Sequence, residues 1–189
     1  IIIGGGLTAI DAATESLNYY KLQVEKFLKN YQLSVVKNGK KHTEQHWTNE
    51  DRLIAEEFIL HAKLFKKAQT RQSIKQILDE LGGVTICYRG KLKDSPAYKL
   101  NPEEVMYAIG DGVKFVEDMI PLGIDVDQYN YTQSIEFDNL GVRKKFKART
   151  VLMAIGIDKE VVNNHLEDIV NSGEFGARSD GATPISNRR

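Results

Sequence analysis

The chain opens on three β-branched residues, Ile1, Ile2 and Ile3, runs straight into three glycines, Gly4, Gly5 and Gly6, and leaves them as a long periodic segment. No other stretch constrains the fold as tightly. The isoleucine run is too short for a helix and suits the carboxyl end of a buried parallel strand. From Thr8 onward, Ile10, Ala13, Leu17, Tyr20, Val24, Phe27 and Tyr31 recur at alternating steps of three and four, the stripe of an amphipathic helix. A strand that turns through glycines into a helix aims the first backbone N–H groups of that helix at one point, and such a point attracts anions.

Gly4-Gly5-Gly6-Leu7-Thr8-Ala9 also satisfies the GxGxxG/A spacing in the strand-to-helix context that gives it meaning. In that pattern Gly4 makes the tight turn, Gly6 lets the backbone approach a pyrophosphate, and Ala9 allows the helix to pack closely. Gly4, Gly5, Gly6, Leu7, Thr8 and Ala9 are therefore the expected binding residues for a dinucleotide.

Further along, Lys37 to Lys41 reads as an exposed loop. Thr48 with Asp51 forms a capping signature ahead of Leu53, Ile54, Phe58, Ala62 and Phe65. Ser73 is expected to begin a third helix through Ile74, Ile77, Leu78 and Leu81, closed by Gly82 and Gly83. Val84 to Tyr88 then reads as the second core strand. Asn101, Pro102 and Glu104 mark another helix start, with Val105, Met106 and Ile109 inside and Gly110 to Gly112 near its stop, followed by a third short strand at Val113 to Val116. Ile120 to Phe146 reads as a small antiparallel meander, and Thr150 to Ala154 as one more buried strand. A helix is expected over 159–171 and a disordered tail over 172–189.

Charge narrows the range of partners. Lys plus Arg and Asp plus Glu both number 26, so no net positive field collects nucleic acid or an anionic membrane. With Cys87 as the single cysteine, an internal disulfide, a CxxC pair and a cysteine-rich metal site are excluded, and a reducing, cytoplasmic setting is the expectation. No apolar run approaches the ~20 residues of a membrane span. The first residue is Ile1, not Met, and the native domain is expected to begin earlier.

Arg89 stands at the end of the second strand, where folds of this kind read the adenosine ribose. An acid there holds the 2′-hydroxyl of NAD, whereas a guanidinium grips the 2′-phosphate of NADP, so Arg89 favours NADPH over NADH. Lys91 and Lys93 are nearby on what reads as a loop. Arg89 comes much later than the ~20 residues usual after the glycines, so helical segments have been inserted between the first two strands.

IIIGGGLTAIDAATES, VTICYRGKLKDSPAYKLNPEEVMYAIGDGVKFVED and ARTVLMAIG together resemble the NAD(P)H-binding domain of FAD-dependent pyridine nucleotide-disulfide oxidoreductases, in particular proteins like the glutamate synthase small subunit, of which large bacterial members carry a helical insert. The resemblance implies a Rossmann-like α/β domain over 1–16 and 84–158, with a parallel core sheet, a small antiparallel β-meander and a helical insertion over 17–83. It implies NADPH or NADH as ligand, with Gly4, Gly5, Gly6, Thr8 and Ala9 at the pyrophosphate and Arg89 at the 2′-phosphate. Asp11 follows as support for the helix start, and Ile155 stands where the family has threonine. The flavin motifs of that family are not in this sequence, so FAD is expected only through a further segment or partner chain, and no catalytic residue is assigned. The alternative is a truncated remnant without activity, or a nucleotide-binding or assembly module.

Three further groups have plainer readings. His42, His46 and His61 share no firm helical face and read as ordinary imidazoles in preference to a metal site. Cys87, inside an apolar strand, reads as a small hydrophobe. Tyr19, Tyr20, Phe27, Tyr31 and Trp47 read as core packing in preference to a stacking surface for nucleic acid.

Overall fold

Two isoleucines sit at the centre of the architecture. In the computed structural model, which describes residues 1–156, strand β1 (Ile2–Ile3) is flanked by β2 (Thr85–Cys87) on one side and β7 (Leu152–Met153) on the other, with β3 (Lys114–Val116) beyond β2. All three pairings are parallel, in the order β3-β2-β1-β7. A separate antiparallel sheet holds β4 (Ile120–Val126), β5 (Thr132–Asn139) and β6 (Val142–Lys147). The architecture is mixed α/β. The helix expected over 159–171 and the tail over 172–189 lie outside the described residues.

Successive residues of a strand point to opposite faces, and the short parallel sheet uses this with only two or three residues per strand. Ile2 lies beside Ile86 and Ile3 beside Cys87. Ile2 and Ile86 pack with Ala9, Ile10 and Ala13 of α1 (Leu7–Asn38), Ala97 of α5 (Pro96–Leu100), and Val105 and Ala108 of α6 (Pro102–Asp111). Ile3 and Cys87 face the other way, onto Met119, Ile135 and Phe137, so the antiparallel sheet covers that side. At ~2 kcal/mol for each fully buried large apolar side chain, these two layers hold the strands that position the glycine turn.

α1 runs unbroken through Ser16 and Leu17 and is 32 residues long in all, so one helix serves both layers. Past Leu17 its buried positions are Val24 and Leu28, which meet Ala62 and Phe65 of α3 (Asn49–Lys67) and, at the edge of that cluster, Ile74 and Ile77 of α4 (Arg71–Glu80). The ion pairs Arg71–Asp111, Asp79–Lys114 and Glu57–Arg149 tie this helical layer to the α/β layer.

Several local expectations need correction. Lys37 and Asn38 finish α1, and Lys40–Thr43 forms the one-turn helix α2, in place of a loop; lysine is a good helix former and only Gly39, at φ 78°, breaks the rod. Ser73 is the third residue of α4, not its start: Thr70 is the N-cap, and Ser73 closes the capping box. In α6 Met106 is exposed and Ala108 is buried, since 105 and 108 share a helical face while 106 lies about 100° away. β7 pairs with β1 as a strand should, but Leu152 and Met153 are exposed, because among the described residues β7 is an edge strand. No helix among the described residues is long and apolar enough to cross a membrane.

Candidate functional site

From β1 the chain reaches β2 on one side, whereas β7 lies on the other, so the strand order reverses at β1. In open α/β sheets the crevice at the carboxyl ends of such strands receives ligands. The turn that leaves β1 at that point is Gly4-Gly5-Gly6. Gly4, at φ 155°, donates its N–H to the Cys87 carbonyl at 3.2 Å, and a Cβ on it would run into the carbonyl of Ala154 after β7. Gly5 lies against the ring of Tyr88, leaving no room for a Cβ, and its carbonyl accepts the Ala97 N–H at 2.8 Å. The turn is thus clamped by β2, β7 and the start of α5.

Gly6 differs from both. It is the N-cap of α1 in extended conformation, its carbonyl accepts the Ala9 N–H at 3.0 Å, and a Cβ there would meet nothing within 4 Å. No side chain caps this helix. Leu7 is partly buried, Thr8 is exposed, and Ala9 is fully buried against the sheet. The structure brings Gly4, Gly5, Gly6, Leu7, Thr8 and Ala9 into one turn whose open side is lined by backbone donors. Partial positive charge at a helix start of 32 residues is what this arrangement offers chemically.

Arg89 follows β2 at the same edge of the sheet, exposed, and among the described residues its guanidinium enters no ion pair. Lys91 is engaged elsewhere. Its ammonium lies 2.5 Å from Asp118 and 3.4 Å from Glu117, and the bond to Asp118 holds its pKa above the ordinary lysine value. Glu117 also accepts the Leu92 N–H at 2.8 Å, which anchors the segment running through Ser95 and Pro96 to Ala97.

Sequence reasoning missed Tyr88 and Ser95. The Tyr88 ring covers Gly5, touches the Cβ position of Gly90, and lies 6.3 Å from the ring of Phe115. An aromatic residue one position before Arg89, facing two glycines, was the available signal. Ser95 is fully buried, and its hydroxyl accepts the Tyr98 N–H at 3.2 Å as the cap of α5.

Cys87 is fully buried, and burial pushes its thiol up to about 11, so it is protonated at neutral pH. His61 Nδ1 lies 2.5 Å from the Tyr20 hydroxyl, while His42 and His46 are exposed. Among the described residues no group of three His, Cys, Asp or Glu side chains is placed to hold a metal. Tyr20 packs edge-on to Phe58 and Phe65, Phe27 edge-on to Phe58, and Tyr31 against Trp47. Tyr19 departs from the expectation of core packing: it is exposed, one helical step off the buried stripe.

No family model matches the chain. It is 46% identical over 180 residues to the uncharacterized protein RP006 of Rickettsia prowazekii (strain Madrid E), an alignment that takes in 84% of this chain and 24% of the relative. The chain therefore spans about a quarter of the length of that relative.

Proposed function

We propose that the glycine turn holds the pyrophosphate of NADPH in a Rossmann-like domain, and that this chain is the nicotinamide-nucleotide portion of an FAD-dependent oxidoreductase whose flavin is carried on another segment or subunit. The observation that carries the reading is the place of the turn: an uncapped helix start with open space at Gly6, at the carboxyl edge of a parallel sheet, where the strand order reverses. Arg89, free of other charges among the described residues at the end of the neighbouring strand, suits the 2′-phosphate, whereas Lys91 is held by Asp118 and Glu117 and serves the segment's position. NADPH supplies the hydride in such an enzyme; the residues of this chain bind and orient it.

Titration of the purified chain with NADPH and NADH, followed by nucleotide fluorescence, tests this. NADPH should bind more tightly than NADH, Gly6→Val should abolish binding without unfolding the chain, and Arg89→Ala should bring NADPH down to the NADH affinity. A folded chain that binds neither nucleotide overturns the proposal.

A further inference from the structure

The loops that follow β2 and β3 are fastened to each other at the carboxyl edge of the sheet. Tyr88 donates its N–H to the Val116 carbonyl at 3.0 Å and accepts the Met119 N–H at 2.8 Å, and the Gly90 carbonyl accepts the Asp118 N–H at 3.2 Å. Arg89 is therefore held between two residues that are bonded to the turn at 116–119. That turn is fixed in its own right. Met119 is fully buried, and the Asn139 side-chain amide donates to the carbonyls of Glu117 and Asp118 at 3.1 and 3.0 Å. Asp118 takes a φ of 57°, in the left-handed region, which aspartate and asparagine tolerate better than most residues with a Cβ.

The fastening brings two carboxylates, Glu117 and Asp118, to the end of the strand that neighbours the one ending at Arg89. Free carboxylates there would draw the guanidinium away from a ligand and repel a phosphate. Lys91 prevents both. Its ammonium lies 2.5 Å from Asp118 and 3.4 Å from Glu117, while Arg89 enters no ion pair among the described residues. One lysine balances one of the two acids and Arg89 the other, so the group presents no net negative charge to an incoming anion. We propose that Lys91 is a specificity-determining residue for the 2′-phosphate, acting at one remove: it occupies Glu117 and Asp118, which keeps Arg89 free and the phosphate unopposed. The inference rests on the nucleotide reading above and adds to it the residues that set the choice between NADPH and NADH. NADH carries a neutral hydroxyl where NADPH carries the phosphate, so the charge of this group bears on NADPH far more than on NADH.

The test titrates NADPH and NADH, followed by nucleotide fluorescence, into wild type, Lys91→Met, Asp118→Asn and the double variant, at about 20 mM and about 500 mM salt. Methionine keeps much of the lysine stem without its charge, and asparagine keeps the left-handed conformation of position 118. In low salt Lys91→Met should lower the ratio of NADPH to NADH affinity about fivefold, the effect of one released carboxylate on a dianion across about 8 Å of water. Asp118→Asn should raise the ratio, and adding it to Lys91→Met should restore the wild-type value. Both single-variant effects should shrink in high salt, which a mere loss of loop structure would not do. If wild type prefers NADPH but Lys91→Met weakens both nucleotides alike, weakens neither, or is not rescued by Asp118→Asn, this proposal is overturned and the nucleotide reading stands. A wild type that binds neither nucleotide overturns that reading and this inference with it. Should Lys91→Met fail to fold, Asp118→Asn alone decides: an unchanged or lower ratio overturns the proposal.

Discussion

The starts of α1 and α3 solve one problem in opposite ways. Each leaves the N–H groups of its first turn without helical partners. At α3, Thr48 accepts the Asp51 N–H at 3.1 Å while Asp51 takes the Thr48 N–H at 2.8 Å, so the end is closed by the chain itself. α4 does the same with Thr70 and Ser73; at α6 Asn101 accepts the Glu104 N–H at 3.3 Å, and its side-chain amide donates to the Glu104 carboxylate at 2.8 Å. At α1 the N-cap is Gly6, with no side chain and open space in front of it. The surroundings differ as well: the open end is backed by glycines wedged against Ala154 and Tyr88, whereas Thr48 and Asp51 at the closed start of α3 are exposed. The starts of α3 and α4 in the supporting layer, and of α6 beside the sheet, are closed by their own side chains, and the unfinished end is the one proposed to bind.

Four changes can break or sharpen this contrast. The largest effect is expected of Gly4→Val, which drives a branched side chain into the Ala154 carbonyl; a loss of about 5 kcal/mol or more should leave no cooperative transition in urea. Phe65→Ala empties the centre of the helical layer and should cost about 3–5 kcal/mol in the same measurement, while the glycine turn of the surviving folded fraction keeps its nucleotide affinity.

Thr48→Ala should cost about 1 kcal/mol through the lost cap. Its hydrogen bonds from Thr48 hold the Asp51 carboxyl below the usual carboxylate range. A carboxylate depressed in the folded state stabilises above its unfolded pKa, and that contribution is lost as pH falls through the folded value. The difference between wild type and Thr48→Ala in melting temperature should therefore shrink in acid, below about pH 4. The smallest change in stability is expected of Gly6→Asp, which supplies α1 with the cap it lacks and should gain a few tenths of a kcal/mol. The same carboxylate occupies the place proposed for a pyrophosphate, so NADPH binding should vanish as thermal stability rises. A Gly6→Asp chain that binds as well as wild type would sever the link between the open end and the nucleotide.

Much of the scaffold was legible because it depends on short-range chemistry. The glycine run after Ile1 to Ile3, the Thr48–Asp51 cap, the Asn101–Pro102 start and the alternating meander each involve residues within a few positions of one another. Features that depend on neighbours far along the chain were not legible. The exposure of β7 follows from its place at the sheet edge, and the clamp on Gly5 from a tyrosine 83 positions later in the numbering and an alanine beyond it. Residue type also misled where one class serves two structures: the lysines of 37–41 are as compatible with a helix end as with a loop, and only the position of Gly39 decides. At the candidate site, spacing gave the order of the glycines. That Gly4 and Gly5 are tightly hemmed in while Gly6 is open depends on Ala154 and Tyr88, far along the chain.

The central place of β1 also sets an order of events. Ile2 pairs with Ile86 and with Leu152, the latter about 150 residues away, so at ~5–20 residues per second the ribosome keeps the first strand waiting for about 8–30 s before its second neighbour emerges. α1, α3 and α4, whose contacts are closer in sequence, can associate in that interval. The helical layer is then the first part of the described chain to have a shape, and the glycine turn, built from the earliest residues, is among the last to be completed.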